Sequence, residues 1–166
     1  MSETSARLGL PLMQPGQAQK ELTHNEALTL LDLAVQASVV ALGVDDPPAA
    51  PVAGEAWIVG AAPTGAWVGQ PHALAGWTAG GWRFVSPYEG LAVWVIAAAR
   101  GARYAGGAWR LGTLAGSAVL IDGIRVVGAQ RGAISDPSGG AAADAEARAA
   151  IAAILSALRG HGLIAS

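Results

Sequence analysis

The residue types that could do chemistry are few and scattered. The three histidines, His24, His72 and His161, lie far apart, and none stands in a HExxH or His-x-His arrangement. A metal site would have to be assembled wholly by the fold, so no metal and no cofactor is expected. Glu55 and Glu89 are the one carboxylate pair that could flank a glycosidic bond. Each precedes an apolar run, however, where a glutamate commonly serves as a solvated strand end. Asp45 and Asp46 sit in a proline-rich stretch and Asp122 in a turn. No G-x-S-x-G elbow exists, Ser117 opens a strand after Gly116, and there is no cysteine nucleophile. The pieces GGWRFV and GGAWRLG lack the spacing of a nucleotide cradle. No catalytic residue emerges, and the chain is expected not to be an enzyme.

The six tryptophans are the residues that stand out, all between Trp57 and Trp109. An indole offers a broad apolar face with one donor, which suits either core packing or stacking on the C–H face of a sugar. Trp57, Trp82 and Trp94 are flanked by Ile, Val and Phe, which favours the core. Trp67, Trp77 and Trp109 stand beside glycine or alanine near turns, and are the candidates for a carbohydrate or subunit contact.

The elements that must position these residues follow from pattern. Thr23-His24-Asn25-Glu26 fits a capping box ahead of Leu28, Leu31 and Val35, predicting a helix over 24–40. Three prolines between Gly43 and Gly54 predict an extended linker. From Glu55 to Leu111 short apolar runs punctuated by glycine predict an antiparallel β unit. Within it Trp77-Thr-Ala-Gly-Gly-Trp82-Arg83 and Tyr104-Ala-Gly-Gly-Ala-Trp109-Arg110 read as two similar hairpins. Asp122-Gly123 predicts a third, with Ile121 opposite Ile124, Val119 opposite Val126, and one wholly apolar face.

A run of helix formers from Ala141 to Arg159 then ends at Gly160 as the expected C′ residue. Ala147, Ile151, Ile154 and Leu158 follow the a/d spacing of a coiled-coil seam. With Leu155 widening the stripe, the helix could pack on its own domain or on copies of itself. The fold class is therefore α+β: an N-terminal segment and helix (1–42), a Trp-rich antiparallel β domain (54–112), and a β-hairpin with a C-terminal oligomerisation helix (113–166).

Composition agrees with self-association. Hydrophobic residues make up 52% and charged residues 13%, against roughly 25% charged in average usage, although alanine supplies much of the excess. The net charge of −2 and the dispersed basic residues give no footprint for nucleic acid. No apolar run reaches the length of about 18 residues a membrane span needs, and the start lacks a basic then apolar leader. Synthesis in the cytoplasm without a signal peptide is expected.

LPLMQPGQAQKELTHNEALTLLD, followed by GEAWIVG, TGAWVGQ, the W-x-x-GGW-R-F hairpin and EGLAVWV, resembles a domain family of unknown function. That family occurs in tail-fibre-like and spike-like proteins of alphaproteobacterial prophages and gene transfer agents. The resemblance spans roughly Leu8 to Leu111, and the remainder resembles a C-terminal module of such particle proteins. It implies a virion structural subunit acting in host-cell attachment, with surface polysaccharide as target and other particle proteins as partners. No catalytic residue carries over. Gln14, Gln17, Gln19, Lys20, Thr23, His24, Asn25 and Glu26 match the family motif and are read as structural. The expected assembly is a homotrimer, with a pentamer as the variant. A carbohydrate-binding module and a polysaccharide or cell-wall hydrolase are the rival readings.

Overall fold

The computed structural model describes residues 3–16, 20–139 and 144–165. The chain is α+β and divides into two units, Met1–Thr113 and Leu114–Ser166.

The first unit opens on helix α1 (Lys20–Ala34), which differs from the capped helix over 24–40. Thr23 and Glu26 lie inside it, so neither caps its start. Gln36 takes a left-handed φ of 45° and ends the helical run, and the β-branched stretch beyond it becomes strand β1 (Ala37–Val39). After Val40-Ala41 comes β2 (Leu42–Val44). The proline-rich segment is a loop inside this unit rather than a linker between domains. Asp45 holds it, accepting from Ala62 N–H at 2.9 Å through Oδ1 and from Thr64 N–H at 2.9 Å through its carbonyl.

Then follow β3 (Ala56–Val59), a 3₁₀ turn (Gly65–Trp67), β4 (Leu74–Thr78), β5 (Gly81–Val85), β6 (Ala92–Val95), β7 (Arg100–Ala105) and β8 (Ala108–Leu111). They form two four-stranded sheets, β1-β6-β7-β8 and β2-β3-β4-β5. The sheets are mostly antiparallel, but β1 joins β6 and β2 joins β3 in parallel. Both expected tryptophan hairpins form, with Trp77 opposite Trp82 and Tyr104 opposite Trp109. Gly106 and Gly107, at φ of 60° and 77°, make the tight turn of the second.

Every residue of β3 is buried, because its sheet is covered on both faces. Ala56 and Ile58 face a core with Leu33 of α1, Leu74, and Val39, Val93, Val95 and Ala102 of the other sheet. Trp57 and Val59 face a second core with Trp67, Ala73 and Ala75. Gly76 lies where α1 crosses the sheet. A Cβ there would overlap the Leu33 side chain, so the glycine permits the close approach.

Residues 3–12 double back on themselves, with Ser5 N–H donating to Leu10 O at 2.9 Å and Leu12 N–H to Glu3 O at 2.9 Å. Asp32, 6% exposed, holds this segment to the helix. Its carboxylate accepts from Ser5 Oγ at 2.8 Å, Arg7 N–H at 3.0 Å and Leu8 N–H at 2.6 Å. In return the Arg7 guanidinium donates to the carbonyls that end α1: Asp32, Leu33 at 3.2 Å and Gln36 at 3.0 Å. A cation on those orphan carbonyls also complements the helix dipole. Asp32→Asn turns an acceptor into a donor facing one of those donors. It should cost about 1–3 kcal/mol, read as a lowered urea midpoint with faster proteolysis between residues 3 and 12.

In the second unit, β9 (Val119–Ile121) and β10 (Ile124–Val127) form the expected hairpin. Asp122 and Gly123 turn at φ of 49° and 76°. Ile121 faces Ile124 and Leu120 faces Arg125, but an irregularity after Arg125 sets Val119 opposite Val127 rather than Val126. All seven strand residues are exposed. Helix α2 (Ala145–Gly160) is capped by Asp144, whose side chain accepts from Ala147 N–H at 2.9 Å. Residues 141–143 of the expected helix lie outside the described residues.

The helix stop shifts from Gly160 to Gly162. Gly162 takes a φ of 70°, its N–H donates to Arg159 O at 2.9 Å, and Leu163 N–H donates to Leu158 O at 2.9 Å. This pair of bonds is a Schellman motif, for which the left-handed residue is the natural stop.

Candidate functional site

Four of the six tryptophans, Trp57, Trp67, Trp77 and Trp82, form one continuous aromatic block. Trp67 meets Trp57 and Trp82 at centroid distances of 6.3 and 5.0 Å, and Trp77 meets Trp82 edge-on at 5.0 Å. Alternation along the strands explains it: Trp57, Trp77 and Trp82 share one face of the β2-β3-β4-β5 sheet, and the 3₁₀ turn lowers Trp67 onto that face. Trp67 is 0% exposed, which removes it as a carbohydrate platform. Trp77 is half-buried within the block. Trp109, also half-buried, stacks edge-on with Tyr104 at 5.6 Å and donates its indole N–H to His72 O at 2.9 Å. The open tryptophan is Trp94, 51% exposed, which its sequence neighbours had assigned to the core.

The motif residues separate by role. Asn25 acts like a strand edge toward Met13, accepting from its N–H at 2.8 Å and donating to its carbonyl at 3.0 Å. Glu26 receives Arg83 Nε–H on both carboxylate oxygens, at 2.8 and 2.9 Å, tying α1 to β5. Both side chains are partly exposed, which limits the pair to about 0.2–1 kcal/mol. Lys20, Thr23 and His24 stand exposed on α1, and Gln14 is exposed ahead of it. Gln17 and Gln19 lie outside the described residues.

Asn25, Glu26, Thr29 and Asp32 line one wall of a cleft of about 640 Å³, with the N-terminal segment and the Trp77–Gly80 turn as its other walls. Glu55 borders this cleft and accepts from Val52 N–H at 2.8 Å, whereas Glu89 accepts from Gly106 N–H at 3.1 Å. Glu55 thus closes a local backbone loop, whereas Glu89 holds the distant β7–β8 turn. Among the described residues no group of three or more His, Cys, Asp or Glu stands together.

Residues 24–110 match the model of a family described as a protein of unknown function, DUF2793. The chain belongs to the DUF2793 family. Among curated proteins, nothing matches it. The DUF2793 match starts at His24, so of the motif positions only His24, Asn25 and Glu26 fall within it. It also takes in all six tryptophans and both sheets.

In the second unit α2 turns one stripe inward. Leu155 is 5% exposed, and Arg148 and Arg159 bind the chain at 134–139 through Pro137 O, Gly139 O, Ile134 O and an Asp136 ion pair of 3.0 Å. The expected seam points elsewhere. Ala147 is exposed, Ile151 and Ile154 are 45% and 59% exposed, and Leu158 lies half-buried at the margin.

Proposed function

We propose that this chain is a non-catalytic, self-associating structural subunit of a phage-like particle or gene transfer agent, a tail fibre, head spike or tail tip. It acts in host-cell attachment by binding surface polysaccharide. One observation carries the self-association. In Leu114–Ser166, Leu155 and Ile164 are the only side chains buried among the described residues. Units below roughly 70–80 residues need staples or oligomerisation to hold a core, and this chain has no cysteine. The hairpin and the Ile151/Ile154 stripe are aliphatic surfaces that a second copy would complete.

The particle comes from the resemblance of QPGQAQKELTHNEAL and the following hairpins to fibre-like and spike-like proteins. The low charge content supports it, since a subunit packed among others needs less solvated surface. Light scattering on the full chain at micromolar concentration tests the assembly. A trimer mass, or a pentamer as the variant, is expected, and a stable monomer overturns the reading.

A further inference from the structure

The outer face of the β1-β6-β7-β8 sheet carries an exposed tryptophan and two exposed arginines. Alternation and register put Ser38, Trp94 and Gly101 in one row across β1, β6 and β7, and Ala92, Arg103 and Arg110 in the next row across β6, β7 and β8. The opposite parity, Val93, Val95 and Ala102, is buried in the core. Arg103 and Arg110 are therefore directly opposed like charges, an arrangement that is destabilising by itself. Neither has a carboxylate within ion-pair distance among the described residues. The nearest glutamate in sequence, Glu89, gives its carboxylate to Gly106 N–H instead.

Beside this cationic pair Trp94 offers an open indole, and its cross-strand neighbour Gly101 has nothing within 4 Å of where a Cβ would stand. Trp94 thus stands diagonally across β6 and β7 from Arg103, with Arg110 one strand further on and no acid in either row.

We propose that this face binds an acidic polysaccharide: Trp94 stacks on a sugar ring, and Arg103 and Arg110 take carboxylates of the same or adjoining residues. The proposal rests on the attachment reading above and names the site and ligand class for it. The chemistry of each part fits. An indole face suits the C–H face of a pyranose, and a guanidinium fork takes a carboxylate through two charge-assisted bonds. An anion between the arginines also removes the repulsion that the free face carries. A polysaccharide is favoured over nucleic acid because the face offers one open indole and two arginines, whereas a nucleic-acid strand calls for a basic groove along its backbone and a series of stacking rings.

Isothermal titration of the full chain tests this, with polygalacturonate, dextran and single-stranded DNA as probes. The expected result is binding to polygalacturonate that weakens with salt, and little binding to dextran or DNA. Trp94→Ala, and Arg103→Glu with Arg110→Glu, should each reduce affinity on the order of tenfold or more while thermal unfolding stays unchanged. Arg103→Lys with Arg110→Lys should lose less, because the charge remains. Absent polygalacturonate binding, equal affinity for dextran, equal affinity for DNA, or variants that bind as the parent does each overturn the proposal. Light scattering on the same samples separates that failure from failure of the particle reading. An intact oligomer whose binding ignores Trp94 leaves the assembly standing and removes only this face.

Discussion

Trp67→Ala is expected to cost the first unit about 3–5 kcal/mol, a large part of the roughly 5–15 kcal/mol that holds a domain together. Trp67 is wholly buried, and Trp57 and Trp82 lie against it. Alanine would open a cavity walled by aromatic rings in mid-sheet, on strands that cannot collapse into it without losing their ladder bonds. The effect is read as a fall in the denaturant midpoint at unchanged slope, with loss of near-ultraviolet circular dichroism from the coupled indoles. Trp94→Ala is the matched control, removing an indole from an exposed face with little change in stability. A Trp67→Ala protein as stable as its parent would mean that the aromatic block is not packed as described.

Ile151→Asp with Ile154→Asp is expected to dissociate the oligomer. Both side chains lie on the exposed stripe of α2, away from the Arg148 and Arg159 contacts that hold the helix to its own chain. In a free monomer the change trades exposed apolar surface for solvated charge, and the helix, capped at Asp144 and Gly162, keeps its end bonds. In an assembly it would bury carboxylates without partners, at several kcal/mol for each ion. Light scattering should report a fall from oligomer to monomer mass, and circular dichroism should show the first unit retained. An assembly that survives the double substitution would put the contact elsewhere.

Local chemistry made much of this fold legible. Asp122-Gly123 and Gly106-Gly107 announce their turns because few other pairs tolerate two left-handed residues in succession. Trp77 and Trp82 meet across a turn of the length their spacing prescribes. What stayed hidden depends on distant partners. Ala37–Val39 continues an apolar run that suits a helix equally well, and becomes a strand because β6, 56 positions away at Ala37↔Val93, accepts it. Glu26 looks like a cap until Arg83 is brought to it.

Trp67 and Trp94 depart from the sequence reading for a related reason. Ala92-Val93-Trp94-Val95 is apolar at every position, so its alternation between core and solvent is invisible in hydropathy. Trp67 sits among small residues that suggest exposure, yet the turn around it folds down as a plug. Exposure there was decided by sheet layering rather than by neighbours in the chain.

The two strands β1 and β2 are joined by Val40-Ala41 alone, yet each lies at the edge of a different sheet and pairs in parallel with a later strand. This stitch makes folding of the first unit a problem of chain topology. The β1-β6-β7-β8 sheet cannot close until residues near 111 are available, and long loops must be closed before the non-local pairings reward them. The β2-β3-β4-β5 sheet has all its strands by Val85, so β1 is the early strand whose edge stays open until β6 at Ala92–Val95 has been made.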